Sequence, residues 1–308
     1  MRAGLLLLGL VLLPAGLNRF GHFFAAEIFT WALYAMGFNI CFGMAGMLSF
    51  GHAAFFASGA YGATFAVLYL VRDPWVALAA AMVAATALAI LVGFFAVRVV
   101  SHSFVIITIT FSLVLLLLAH SQKDVTGGDD GLLFPPLALF AGAGPSLATP
   151  LVAYYTALAI LAVAYVLLWR LSRSPLGLVL QAVRDSERRA TLAGYDVQRY
   201  RWLAFVLSGS VAGLAGGVYA ITHAQVNAQL FDVTVSVDAV IWTLIGGAGS
   251  VLGPAIGAAL ILAFTNAVSD WIVYTQIPVG ILLILIVIFW PRGLSGVWRS
   301  WSAGRPAA

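Results

Sequence analysis

The chain has 308 residues, 63% of them hydrophobic and only 8% charged, with a mean hydropathy of +1.05 and a formal charge of +4. Apolar runs recur from one end to the other, far beyond what one soluble core needs, which excludes a water-soluble globule and points to a polytopic membrane protein. The single cysteine, Cys41, excludes a disulfide framework or thiolate metal site, and His22, His52, His102, His120 and His223 have no metal-ligand spacing, so no cofactor or metal is expected.

A membrane-crossing helix needs ~20 mainly apolar residues. Apolar windows and their breakers predict spans near 3–17, 24–42, 50–71, 75–97, 103–120, 151–171, 201–222, 237–247, 254–272 and 277–291. The expected fold class is all-α and polytopic, with about ten transmembrane or re-entrant helices in one transmembrane domain over residues 1–308. Met1-Arg2 followed by Leu5 to Leu13 has the outline of a signal peptide, but a chain with so many later spans is expected to retain its first one.

Residues 43–62 read GMAGMLSFGHAAFFASGAYG, with small residues three and four apart, as helices need to approach closely in lipid. Helix packing accounts for such a pattern. Ser49, His52, Ser58 and Tyr61, with Asn39 just before them, also add polar groups where Gly43, Gly46 and Gly51 can interrupt a helix, so they are candidates for a translocation path. Thr108 and Thr110 are further candidates, although they and Ser112 can equally back-bond to the preceding helical turn. The loop TGGDDGL, Thr126 to Leu132, lacks the regular acidic spacing of a calcium loop and reads as a solvated turn.

Ala182 to Arg201, AVRDSERRATLAGYDVQRYR, concentrates charge as no other part of the chain does. Residues 172–200 are expected to form a cytoplasmic loop, because moving these charges to mid-membrane costs about 2.5–3.5 kcal/mol each. Asp185 and Arg189, four apart with the acid first, favour a helix there, and Gly194 permits a turn after it. The window at 237–247 is too short to span alone and suggests a discontinuous element. It leads into Gly246-Gly247-Ala248-Gly249 and Gly253, which resembles Gly43-Met44-Ala45-Gly46 and Gly51; paired helix breaks of this kind suggest an internal duplication. Pro291-Arg292-Gly293-Leu294 ends the last helix, and Trp298, Arg299 and Trp301 suit a cytoplasmic membrane interface.

An N-in, C-in orientation puts twelve of the fifteen cations inside, leaving Arg19, Arg72 and Lys123 outside, while Asp73, Asp124, Asp129, Asp130, Asp232, Asp238 and Asp270 fall outside or near that face. Lys123, the only lysine, stands in Gln122-Lys123-Asp124, so the chain contains no Gly-x-x-x-x-Gly-Lys phosphate loop and cannot hydrolyse ATP through one. Glu27 is the main carboxylate inside the apolar windows, and an ion-coupled carrier would have to rely on it. No clustered nucleophile, base or metal set supports a membrane-embedded enzyme.

Several segments taken in order resemble the LivM-type permease subunits of ATP-binding-cassette (ABC) importers for branched-chain amino acids: GMAGMLSFGHAAFFASGAYGA, VTGGDDGL, SPLGLVLQAVRDSERRATLAGYDVQRYRWLAFVLSGSVAGLAGGVYA, GGAGSVLGPAIGAAL and PRGL. The resemblance implies a multi-pass protein of the bacterial cytoplasmic (inner) membrane, without enzymatic activity of its own. It implies a LivH-type permease partner, two cytoplasmic ATPase subunits, an extracytoplasmic solute-binding protein and surrounding membrane lipid, and no nucleic acid. It also implies that Arg184, Asp185, Glu187, Arg188, Arg189, Gly194 and Asp196 belong to the segment that couples to the ATPases. Related permeases carry urea, short amides or other amino acids, so these remain alternative solutes.

Overall fold

Helix starts in this chain are written by side chains that take up the first free N–H groups. Asn18 Oδ1 accepts from Gly21 N at 2.7 Å, and Asp73 Oδ1 accepts from Trp75 N at 2.8 Å and Val76 N at 3.1 Å, with Pro74 in the first turn where no N–H is needed. Ser174 and Asp196 cap in the same way, and Pro150 and Pro175 open two more helices. The structure, a computed structural model, describes residues 9–11, 13–99, 101–140, 143–269, 271, 275–290 and 293–294. Most of the expected first span, and Pro291, Arg292, Trp298, Arg299 and Trp301, lie outside the described residues, as does Asp270.

The described helices are α1 (Arg19–Asn39), continued by a π-helical turn (Ile40–Met44), α2 (His52–Tyr69), α3 (Pro74–Ala96), α4 (Ser101–Ser121), the single turn α5 (Lys123–Thr126) and α6 (Pro150–Arg173). There follow α7 (Pro175–Asp185), α8 (Glu187–Leu192), α9 (Val197–His223), α10 (Val233–Gly246), α11 (Gly253–Ser269) and α12 (Gln276–Phe289). Among the described residues, five helices are long and apolar enough to cross a membrane: α1 with its π-turn, α3, α4, α6 and α9. The architecture is that of a helical membrane protein. At 14 residues α10 reaches only ~21 Å against a hydrocarbon thickness of ~30 Å, so it does not cross alone.

Short strands supplement the helices: β1 (Leu132–Leu133) pairs antiparallel with β4 (Gln225–Val226), and β2 (Ala138–Phe140) with β3 (Ala143–Ser146). They arise where the chain leaves the helices. Gly127, Gly128 and Gly131 all take positive φ in the turn before β1, and Asp129 and Asp130 stay exposed, so TGGDDGL is the solvated turn its composition predicts.

Packing centres on α9. Gly209, Gly213 and Gly217 recur every four residues and meet Ala89, Ala85 and Ala81 of α3, which recur at the same interval in the opposite direction. A methyl group at Gly209 or Gly217 would come within 2.6 Å of the facing alanine Cβ, and one at Gly213 closer still. On the other side, a methyl at Gly216 would collide with the Phe56 carbonyl of α2, and one at Gly59 with the Gly213 carbonyl. Backbones therefore touch directly, which is how helices gain dispersion energy in lipid, where burying apolar surface brings no gain over lipid contact. The Thr86 and Ser210 hydroxyls hydrogen-bond at 2.7 Å on the same α3–α9 seam.

Gly216→Val should separate α2 from α9 and lower the thermal midpoint of the purified protein, since overpacking a core costs about 1–3 kcal/mol. Gly280→Ala, on α12 where nothing lies within 4 Å of an added methyl, should leave the midpoint unchanged or raise it.

Candidate functional site

The glycine breaks come together in space. After the π-turn the chain leaves helical geometry through Ala45 to Gly51, with Gly46 at φ +73°, and the second break, Gly247 to Leu252, lies against it. Asn39 Nδ2 donates to the Ser250 carbonyl at 3.1 Å, and a methyl at Gly43 would strike both Asn39 and the Ala248 carbonyl. Gly246 and Gly253 are equally tight, each closing on the backbone of the other's loop, while Gly249 sits exposed at the loop tip. Only glycine fits where two backbones cross this closely.

The charged segment is joined to the same place. Arg184, near the end of α7, donates through Nη1 to the Gly43 carbonyl, pairs with Asp185 at 3.1 Å, and lays its side chain over Gly46. The expected helix running through Asp185 and Arg189 is interrupted instead. Ser186 is extended (φ −167°, ψ 106°), and its hydroxyl accepts from Arg189 N to cap a new helix, α8, so Asp185 and Arg189 stand on different helices. A serine between two helix-forming stretches competes for the backbone in this way. Glu187 then pairs with Arg201 of α9, and Asp196 caps α9 and pairs with Arg199 at 2.8 Å. Gly194 takes φ +89°, making the turn read from the sequence. Arg188, Arg189, Leu192 and Tyr195 are exposed, whereas Ala190 is buried against the body.

Between α1, α6, α7 and the 247–252 break lies a cavity of about 640 Å³, lined among others by Asn39, Gly43, Arg173, Gln181, Arg184 and Ser250. A second, of about 510 Å³, opens between α2, α3 and α4 and is lined by Ser58, Tyr61, Leu118, Gln122, Thr126 and Phe231. Tyr61 donates to the Thr126 carbonyl at 3.1 Å there.

Ser49, His52 and Thr108 are fully buried and bonded within the chain. Gly51 N donates to Ser49 Oγ and Phe50 N to Thr108 Oγ1, each at 3.3 Å, and Ala53 N donates to Ser236 Oγ of α10 at 2.8 Å. These hydroxyls supply the caps that α2 needs to begin inside the protein. Ser208 Oγ donates to the Gly37 carbonyl at 2.7 Å, so His52 Nε2, also 2.7 Å from Ser208 Oγ, must be the donor in its bond. Thr110 is exposed on α4 and back-bonds to Ile106, whereas Ser112 reaches Phe231 instead.

Asp238, expected outside or near the outer face, is the sixth residue of α10, ~13 Å of helix from Gly247, and is exposed. Its signal was a lone carboxylate opening an apolar window. Left against acyl chains it would cost about 2.5–3.5 kcal/mol at mid-membrane.

Ser208→Ala removes the bridge between His52 and Gly37, and the orphaned buried donor should cost about 1–3 kcal/mol, read as a lower thermal midpoint in detergent.

Residues 22–289 match the family model described as branched-chain amino acid transport system / permease component. The chain is 26% identical over 298 residues to the high-affinity branched-chain amino acid transport system permease protein LivM of Salmonella typhimurium, covering 89% of this chain and 70% of that one. It is 25% identical over 287 residues to the LivH permease protein of Escherichia coli, covering 87% and 91%. A shorter match, 30% over 122 residues covering 38% and 36%, is to the guanosine ABC transporter permease protein NupQ of Bacillus subtilis. No solved structure matches the chain. With the match running through every helix from α1 to α12, the chain belongs to the branched-chain amino acid transport system permease family.

Proposed function

We propose that this chain is a permease subunit of an ABC importer that moves branched-chain amino acids inward across a bacterial cytoplasmic membrane. The observation that carries the reading is the family match over residues 22–289. The likeness to both LivM and LivH supports a pore built from this chain and a LivH-type partner. Two cytoplasmic ATPase subunits power the pore and an extracytoplasmic binding protein delivers the solute. The chain contributes a path and a lever rather than chemistry; Lys123, its one lysine, lies outside any phosphate-loop motif.

In this reading the chain makes about ten crossings with both termini inside, and the two glycine breaks descend from a duplicated half. Arg98, Arg184, Arg188 and both breaks then share the cytoplasmic side, and the direct Arg184–Gly43 bond supports placing them together.

Residues 172–200 form the coupling loop. Arg188, Arg189, Leu192 and Tyr195 offer an exposed charged and apolar surface for an ATPase subunit. When the ATPases close, α8 moves, α7 moves with it, and Arg184 carries the displacement to Gly43 and Gly46. Flexible glycine backbone there lets α1 and α2 change their relative angle and alternate the access of the path. Asn39 lines the inner cavity and Ser58 and Tyr61 line the other, so these candidates face space a solute can enter. Thr110 is exposed on α4 and lines neither cavity. Ser49, His52 and Thr108 act behind the path, holding the start of α2.

Purified with its partners and reconstituted in vesicles, the chain should support ATP-dependent leucine uptake; full uptake by this chain alone, driven by a proton or sodium gradient, would overturn the reading. Replacing Arg188 and Arg189 by Glu should reduce uptake at least tenfold while leaving thermal stability unchanged. Normal uptake in that variant would make the loop a passive connector.

A further inference from the structure

Asp238 is a charge without a countercharge. Helix α10 packs on α1, α2 and α11 and more lightly on α4 and α12, and no lysine or arginine stands on α2, α4, α10, α11 or α12. Arg19, at the far end of α1, is already at the opposite terminus of its helix from Asn39. Among the described residues no hydrogen bond or ion pair engages the Asp238 carboxylate. A carboxylate so placed and exposed on a membrane-embedded helix faces water, a ligand or a partner rather than lipid.

Its surroundings are those of a polar receptor. Thr234 lies one turn earlier on the same face and is also exposed. Tyr34 of α1 is fully buried on the inner side, with its hydroxyl beside Ser236 and within electrostatic reach of Asp238. A primary ammonium group has three donors and one positive charge, which suits a carboxylate with a hydroxyl oxygen beside it.

We propose that the Thr234–Asp238 face of α10 lines the translocation path and that Asp238, with Thr234, receives the ammonium group of a zwitterionic amino-acid solute in transit. The inference rests on the transport reading above and adds to it a site and the solute group that the site takes. A neutral amide or urea can donate hydrogen bonds to the carboxylate but brings it no positive charge, so the site favours amino acids over such solutes.

The test uses the complete transporter in vesicles, with leucine as the probe. Wild-type vesicles without ATP-dependent leucine uptake would refute the transport reading and this inference with it. With wild-type uptake intact, Asp238→Asn should lower uptake at least tenfold, and Asp238→Glu should retain more than Asp238→Asn. Uptake by Asp238→Asn within twofold of wild type would overturn the inference alone. So would loss of the second permease from purified Asp238→Asn complexes, which would make the residue an interface contact. An independent reading comes from Thr234→Cys, in a chain whose native Cys41 is buried. A charged, membrane-impermeant thiol reagent should modify it and leucine should slow the modification, whereas a cysteine that stays unreactive in active vesicles would overturn the placement on a path.

Discussion

The close approach of α9 to α2 and α3 governs the rest of the fold. Hydrocarbon around a helix is as apolar as the helix itself, so helices associate in a bilayer by dense contact between backbones. Gly209, Gly213 and Gly217 against Ala89, Ala85 and Ala81 provide that contact along one seam, and Gly216 against Phe56 provides it along another. Because α9 begins directly after the charged segment, its position also decides where that segment lies. Glu187 and Arg201 tie α8 to α9, so α8 is referenced to the most tightly packed part of the molecule.

That rigid seam contrasts with the region where helices stop. Helix α10 is capped locally by Asp232, but α2 begins within the protein and needs substitutes for its missing intrahelical partners. Side chains from distant helices provide them: Ser236 serves Ala53 N, Thr108 serves Phe50 N, and Ser208 joins His52 to Gly37. A polar group that completes another helix's backbone holds two segments together only while both keep their places. The same hydroxyls that stabilise one arrangement therefore make it discrete.

Arg184 joins the two regions. Its guanidinium holds the Gly43 carbonyl while its aliphatic stem covers Gly46, so a long cationic side chain acts as a strut between the glycine break and the solvated α7–α8 corner. A lysine could hold the carbonyl, but it would lack the fork that binds Asp185 at the same time.

Much of this was legible in the sequence because the underlying signals are local. Apolar windows mark helices, proline and small polar residues mark their starts, and a solvated arginine run cannot enter lipid; the helix limits, the TGGDDGL turn and the Gly194 turn follow directly. Small residues at three- and four-residue spacing mark residues 43–62 as a close-packing stretch, but the pairing of the α9 glycines with Ala81, Ala85 and Ala89 of α3 was not legible, since any alanine-rich helix offers a similar stripe. Position in three dimensions decided the remaining points. The break at Ser186 depends on a cap that competes with an equally acceptable continuous helix. The meeting of Gly43 with Ala248, the burial of His52 and the exposure of Asp238 depend on which face each helix turns to its neighbours. Local chemistry specifies that a residue is polar or small; only packing between segments two hundred residues apart specifies what it touches.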